Sequence, residues 1–425
     1  MTWRVTPLAL SLLTIVGWIL SLAILTARPD LFMIALPIAL VLATLSLRPG
    51  APDYSLTHQV SRVRLFEGET LTVTVEVTAK SRIPLMELLE PLPPGGALVS
   101  GRPRAALTLR PGQTGRFSYE ISFPVRGAHE LGTVLVRVHD WWSLRAWEGR
   151  HVARQRVWVH PRIAPLRSLP RPVRTQTSAG DYVSPVFGEG LEPGEIRPFA
   201  PGDRIRQVNW RASLRLGTLY VTQQHRERNA DVVLMVDTLA QAGTPSTTTL
   251  DAAVRAASSL ATAYLARKDR VGLILYGGLI DWVRPGSGRA HHQRLADTLL
   301  RADVVFTYVA KDLKLVPPRV LPSHAFVIAI TPLLDRRFTQ AVLDLVARGF
   351  DLVVLAVSPV GLVRGSLGTS AVDDLACRLW TLERRRRLDD VRRHGLPVIE
   401  WNPAEPLGGA VAGLDRRGHR SVIGR

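Results

Sequence analysis

The chain has 425 residues, 46% of them hydrophobic and 21% charged, which suits two or three ordinary cores and excludes a disordered chain. A single cysteine, Cys377, excludes a disulfide framework and any cysteine-built zinc or iron–sulfur site. Lys+Arg number 54 against 36 Asp+Glu, a formal charge of +18, and all the basic residues but Lys80, Lys268, Lys311 and Lys314 are arginine. Such a balance attracts nucleic acid or anionic lipid. The arginines are spread along the whole chain, however, and aromatic residues make up only 6%, so no dense nucleic-acid-binding arm is visible.

Residues 8–26 carry no charge, and as a helix they would reach about 28 Å, close to the hydrocarbon thickness of a bilayer. Residues 31–47 form a second uncharged run, about 26 Å long at the same rise. Only Ala27-Arg28-Pro29-Asp30 lies between them, a polar turn whose proline cannot continue a helix. The pair predicts a transmembrane hairpin over residues 1–50. A cleaved signal peptide is the competing reading, but the first run is long for one and Thr26-Ala27-Arg28 is a poor cleavage site. Arg4, Arg48, Arg62 and Arg64 flank the runs on the terminal side, while Arg28 in the turn is offset by Asp30. That bias predicts a two-helix, multi-pass protein of the inner or cytoplasmic membrane, with its soluble domains in the cytoplasm.

Residues 51–161 change character. Segments 71–77, 116–123, 133–138 and 156–160 are rich in β-branched and aromatic residues, and turns such as Glu67-Gly68-Glu69 and Pro94-Gly95-Gly96 separate them. This spacing predicts an all-β sandwich of immunoglobulin type. Residues 162–229 begin as a segment rich in Pro, Arg, Ser and Thr, of linker character. From residue 230 to 425, apolar runs at 231–237, 270–277, 325–331, 351–357 and 397–401 alternate with helical patterns. That alternation predicts an α/β doubly wound parallel sheet. Ligands of such sheets bind beyond the carboxyl ends of the strands, which marks Asp237 and the loop 331–335.

The segment 188–222 reads GEGLEPGEIRPFAPGDRIRQVNWRASLRLGTLYVT. Glu195, Arg197, Phe199, Pro201, Gly202, Asp203, Arg206, Val208, Asn209, Trp210, Ser213 and Arg215 follow in order the gapped pattern of a bacterial family, domain of unknown function 58, which the chain resembles. A second segment, Arg126-Gly127, Leu131-Gly132 and Asp140-Trp141-Trp142-Ser143-Leu144, is similar to another motif of that family, with aromatic and serine substitutions. The resemblance implies a membrane anchor, a β-domain and a von Willebrand factor A-like domain. It also implies a partner, a MoxR-type AAA+ ATPase, and a role as an adaptor in protein maturation or cell-envelope processes.

Within the signature, Asp203 could hold Arg206, Arg211 or Arg215 by bidentate bonds around Trp210, making the segment a structural strap. Alternatively its arginines grip a partner. The partner-binding or signature candidates are therefore Glu195, Arg197, Pro201, Gly202, Asp203, Arg206, Trp210 and Arg215. Domains of the A type often hold Mg or Mn at Asp-x-Ser-x-Ser, whereas here the stretch is Asp237-Thr238-Leu239-Ala240-Gln241. With both serines replaced, Asp237, Thr331 and Asp335 are weak metal candidates, and a capping role for the aspartate is the simpler reading. His291-His292 reads as a solvated helix start, and Arg384–Arg387 beside Glu383, Asp389 and Asp390 as a solvated helical face. No catalytic cluster stands out, so a non-catalytic interaction module is expected. The alternative is a basic membrane-surface protein that binds anionic lipid or nucleic acid without sequence preference.

Overall fold

Threonine, valine and glutamate alternate along residues 70–79, and burial alternates with them, so one face of the strand enters a core. The computed structural model that shows this describes residues 3–46, 50–170, 176–200, 205, 208–229, 231–244, 247–307, 313, 316–323, 325–364, 367–368 and 370–412, with backbone only at 176–195 and 222–229. Two units divide it, Met1–His160 and Pro161–Arg425.

The first unit opens with strand β1 (Trp3–Val5) and helices α1 (Pro7–Thr26) and α2 (Asp30–Ala43). Strands β2 (Tyr54–Val60), β3 (Arg64–Phe66), β4 (Thr70–Ala79), β5 (Ile83–Leu89) and β6 (Ala97–Gly101) follow. After them come β7 (Arg104–Leu109), β8 (Thr114–Ser122), β9 (Gly127–His139) and β10 (Arg145–His160). One sheet runs β1-β10-β9-β5-β7, with β3 parallel to β10, and the other runs β2-β4-β8-β6. Val73, Val75 and Ile121 from the second sheet share one core with Met86, Val136 and Val157 from the first, giving sandwich-like packing.

The two helices correct the expected membrane hairpin. Thr6 caps α1 and Pro7 sits at its first position, so the helix starts where the sequence suggests and runs for 20 residues. The second helix has 14 residues with Pro37 inside, then tightens to a 3₁₀ turn at Thr44–Ser46. Together, Asp30–Ser46 make an apolar helix shorter than the about 20 residues a hydrocarbon layer needs. Among the described residues only α1 is long and apolar enough to cross a membrane, with a mean hydropathy of 2.5, and the two-helix, multi-pass arrangement is overturned. The orientation inferred from a pair of crossings goes with it.

Buried among the strands is a polar pair. His58 on β2 is 5% exposed and Glu90, just after β5, is 1% exposed; His58 Nε2 lies 3.0 Å from Glu90 Oε1. The Gly132 amide donates to the same oxygen at 2.8 Å. Gly132 has φ +91°, and a Cβ there would sit 2.1 Å from the Ala153 carbonyl oxygen, so the Leu131-Gly132 motif is a place only glycine fits. In the Asp140–Leu144 motif, Asp140 accepts from the Arg145 amide at 3.2 Å and Ser143 takes the left-handed conformation at φ 56°. Leu144 is thereby buried against Ala9 and Val16 of α1 and Leu42 of α2.

The second unit contains β11 (Gln176–Pro198), α3 (Trp210–Leu216), β12 (Tyr220–Asn229), β13 (Asp231–Thr238) and a small hairpin, β14 (Gly243–Thr244) with β15 (Thr247–Thr248). It continues through α4 (Thr249–Ala266), β16 (Arg270–Gly277), β17 (Ile280–Gly286), α5 (Arg289–Leu300) and β18 (Phe326–Thr331). It ends with α6 (Arg336–Ala347), β19 (Asp351–Val357), α7 (Val360–Arg364), α8 (Ala371–Arg393) and β20 (Val398–Trp401). β11 and β12 form a separate antiparallel ribbon. The main sheet runs β17-β16-β13-β18-β19-β20. Its strands are parallel except β17, so the sheet is mixed where a parallel one was expected. The reason is local: only Gly278 and Leu279 separate β16 from β17, and so tight a turn joins antiparallel neighbours. One face packs under α4 and α5, the other under α6 and α8. Residues 161–170 also join this unit, where Ala164 donates to Ser259, Tyr264 donates to the Pro170 carbonyl and Leu169 is buried.

Glu90→Ala would leave the Gly132 amide and His58 Nε2 without their acceptor inside the sandwich. Removing one partner of a buried pair costs about 3 kcal/mol, or roughly two decades in an opening equilibrium. Hydrogen exchange of the full-length chain should therefore quicken by about a hundredfold in β2, β4 and β5, and less in Glu90→Gln, whose amide oxygen can still accept from Gly132. Equal exchange in wild type and Glu90→Ala would refute the pair's structural role.

Candidate functional site

Of the signature segment, Trp210–Leu216 form a short helix, α3, that leads into β12. Asn209 caps α3 by accepting from the Ala212 amide at 3.0 Å, and its own amide donates to the Tyr220 carbonyl at 2.8 Å. Ser213 is buried; its hydroxyl donates to the Asn209 carbonyl at 2.8 Å and accepts from the Tyr220 amide at 2.9 Å. Gly217 ends the helix in the left-handed conformation. Val208 is buried and bridges Val221. The inward face of α3 is thus fixed by Asn209 and Ser213, two members of the sequence pattern with plain structural roles.

The outward face is different. Trp210 is 59% exposed and Leu214, four residues on, is 84% exposed, with Arg211 and Arg215 beside them. A tryptophan expected to anchor a strap instead stands in solvent beside a shallow recess formed with Gly217 and Leu219. Arg197 is partly buried at the end of β11 and donates to the Pro198 carbonyl at 3.0 Å. Glu195 lies in β11 with only its backbone described, while Pro201, Gly202, Asp203 and Arg206 lie outside the described residues.

At the carboxyl end of the parallel strands, the structure brings Asp237 and Thr331 together. Thr331 Oγ1 donates to Asp237 Oδ2 at 2.6 Å, the Leu239 amide donates to Oδ1 at 3.0 Å, and the Leu333 amide donates to Thr331 Oγ1 at 2.9 Å. Asp237 is 1% exposed, and its burial pushes the carboxyl up to about 7, against the pull of its two hydrogen bonds. Asp335 caps α6 and is gripped by Arg337, with Nη2 at 2.7 Å and Nε at 3.0 Å, which holds its pKa below the ordinary value. These oxygens do not fit a divalent cation. Each Asp237 oxygen has a donor on it, Thr331 directs its proton at Asp237, and a guanidinium covers Asp335. Among the described residues no group of three His, Cys, Asp or Glu side chains could hold a metal ion.

The arginine run on α8 is no solvated face throughout. Arg384 is 5% exposed, donating from Nη1 to the Pro332 carbonyl at 2.5 Å, from Nη2 to the Val357 carbonyl at 3.1 Å and from Nε to Glu400 at 3.1 Å. Burial lowers its pKa and Glu400 opposes that shift. Arg387 donates to the carbonyls of Leu333 and Leu334 at 3.1 and 3.0 Å. The pair holds the loop in which Leu333 adopts φ 56°. Periodicity carried the signal: the buried residues of α8 are Cys377, Arg384, Leu388 and Val391, a single helical stripe that includes the arginine. His291 is likewise buried, with Nε2 2.6 Å from the Val271 carbonyl oxygen, and not a solvated helix start.

Residues 195–370 match the family described as "Protein of unknown function DUF58". The uncharacterized protein Rv1480 of Mycobacterium tuberculosis is 31% identical over 142 residues, which cover 32% of this chain and 45% of that protein. The uncharacterized protein YeaD of Bacillus subtilis is 26% identical over 215 residues, 49% of this chain and 53% of that protein. The chain thus spans about half the length of the curated relatives it matches. Among solved structures, the cupredoxin domain of amoB from Nitrosocaldus yellowstonii is similar at 10% identity over 26% of this chain and 90% of that one, with a TM-score of 0.20, too slight a likeness to bear on the fold.

The Asp237 carboxyl sets a pH dependence. Its pKa is raised from 3.8 to about 7 in the fold, so between those values the unfolded chain releases a proton that the folded chain keeps. Its contribution to stability is complete at low pH and falls as pH rises through that window. Asp237→Asn cannot ionise, so its thermal midpoint should gain on wild type from about pH 4 to pH 7 and then run level. A difference between the two that stays constant across pH would show that this carboxyl does not titrate there.

Proposed function

We propose that this chain is a non-catalytic protein-interaction module and that the outward face of α3 is its docking surface. The observation that carries the reading is the exposure of Trp210 and Leu214 on a helix whose other face is pinned by Asn209 and Ser213. A solvent-facing tryptophan flanked by arginines, presented rigidly, has the composition of an interface hot spot. The DUF58-type region includes this helix. The finer parts of the reading are proposals as well. They comprise a von Willebrand factor A-like character for the mixed sheet and a MoxR-type AAA+ ATPase as partner. They also include service in protein maturation or envelope processes, and attachment to a bilayer through α1. The remaining signature residues, Glu195, Arg197, Pro201, Gly202, Asp203, Arg206 and Arg215, are likewise proposed to take part in partner binding.

Pull-down of tagged full-length protein from host membranes, with and without ATP, tests this. Loss of a hot-spot side chain costs about 2 kcal/mol or more, so Trp210→Ala should capture an AAA+ ATPase at least roughly thirtyfold less well. Leu214→Ala should weaken capture by a smaller factor. Undiminished capture by Trp210→Ala would remove α3 as the docking surface. Recovery of only lipid or nucleic acid, lost as salt rises in wild type and variant alike, would favour the reading in which charge is the function.

A further inference from the structure

We propose that the groove between α6 and α8 is a binding site for a phosphate-bearing anion. The groove holds about 520 Å³, within the range of small-molecule sites. From α6 it receives Arg336, Thr339 and Gln340, three and four residues apart and therefore on one helical face. From α8 it receives Arg386, Arg387 and Arg393, with Glu383 and Asp390 on the same face.

Four guanidiniums thus line one cleft, and every carboxylate near them already has an arginine of its own. Asp335 is held by Arg337 at 2.7 Å, Glu383 by Arg387 at 2.5 Å and Asp390 by Arg393 at 3.4 Å. Among the described residues Arg336 and Arg386 have no ion-pair partner, although they reach the same cleft from facing helices. Like charges that converge on a recess repel until an anion enters between them. A guanidinium presents paired N–H donors that match the oxygens of a phosphate, and two of them from opposite walls suit one phosphate group. Thr339 and Gln340 add a hydroxyl and an amide that can donate to the remaining oxygens. Leu333 and Leu343 are the apolar lining residues, too little for the trough that an amphipathic peptide needs, so a compact phosphate is favoured over a protein segment.

The source of the phosphate is either a soluble phosphorylated compound or a lipid headgroup, and one experiment separates them. Full-length protein in neutral detergent is titrated calorimetrically with inorganic pyrophosphate, at low and at physiological salt. The same variants are then tested for flotation with phosphatidylcholine vesicles that contain phosphatidic acid. Expected is saturable one-to-one pyrophosphate binding, weakened about tenfold or more by Arg336→Gln and by Arg386→Gln. Arg385→Gln, an exposed neighbour outside the groove, should bind as wild type does. These surface substitutions should leave the thermal midpoint unchanged, so loss of binding is not loss of fold. If the two groove variants also lose acid-dependent vesicle binding, the phosphate is a headgroup; if vesicle binding persists, it is a soluble compound. Three outcomes overturn the site: no saturable pyrophosphate binding, an equal loss in Arg385→Gln, or displacement of pyrophosphate by polyglutamate as readily as by phosphate.

Discussion

The carboxyl end of the main sheet depends on one buried guanidinium. Arg384 reaches from α8 to the carbonyls of Pro332 and Val357, which follow β18 and end β19, and closes on Glu400 in β20. A single side chain therefore ties three neighbouring strand ends to the helix that covers them. Loop carbonyls that point inward need donors, because a buried acceptor without one costs about 1–3 kcal/mol. Arg384 and Arg387 supply four such bonds between them. Once the backbone at 332–334 is fixed, Leu333 can hold its left-handed conformation and its amide can reach Thr331. Thr331 is then aimed at Asp237, and Asp335 is left at the start of α6 for Arg337.

Much of the fold is legible in the sequence because burial and period coincide there. The apolar runs at 231–237 and 351–357 have almost no exposed residue, as strands covered on both faces must, and residues 70–79 alternate as a strand covered on one face must. What the sequence hides has a physical reason in each case. The direction of β17 rests on a two-residue connection, Gly278-Leu279, that reads equally well as the start of a longer loop. Helix α8 inverts the usual pattern: Val372, Leu375, Leu379 and Leu382 are exposed, while Arg384 is buried among Cys377, Leu388 and Val391. Composition alone places the leucines inside and the arginines outside. Only the phase of the stripe, together with carbonyls contributed from more than 25 residues away, reveals the reverse.

The N-terminal helices show a similar limit. Absence of charge over residues 31–47 measures how far a helix could extend, not how far it does. Pro37 has no amide proton to give, and Thr44 turns its hydroxyl back onto the Val41 carbonyl as the helix narrows. In α1, by contrast, Ser11, Ser21 and Thr26 donate to carbonyls four residues back, so its polar side chains are satisfied within the helix and need no water. Among the described residues α1 is the one helix whose length and composition would let it cross a membrane.

The strand-end aspartate Asp237 does not have the surroundings of a metal ligand. A metal-binding aspartate must present a charged oxygen to an open position. Asp237 instead sits under Leu239 with a donor on each oxygen, and its burial favours the protonated form. In that form the carboxyl still accepts from the Leu239 amide, and it crosslinks β13 to β18 through Thr331 without the cost of a buried charge. Asp237 thus acts as an internal fastener between two strand ends. Neither surface proposed for recognition, the outward face of α3 or the arginine-lined groove beside α6, includes Asp237.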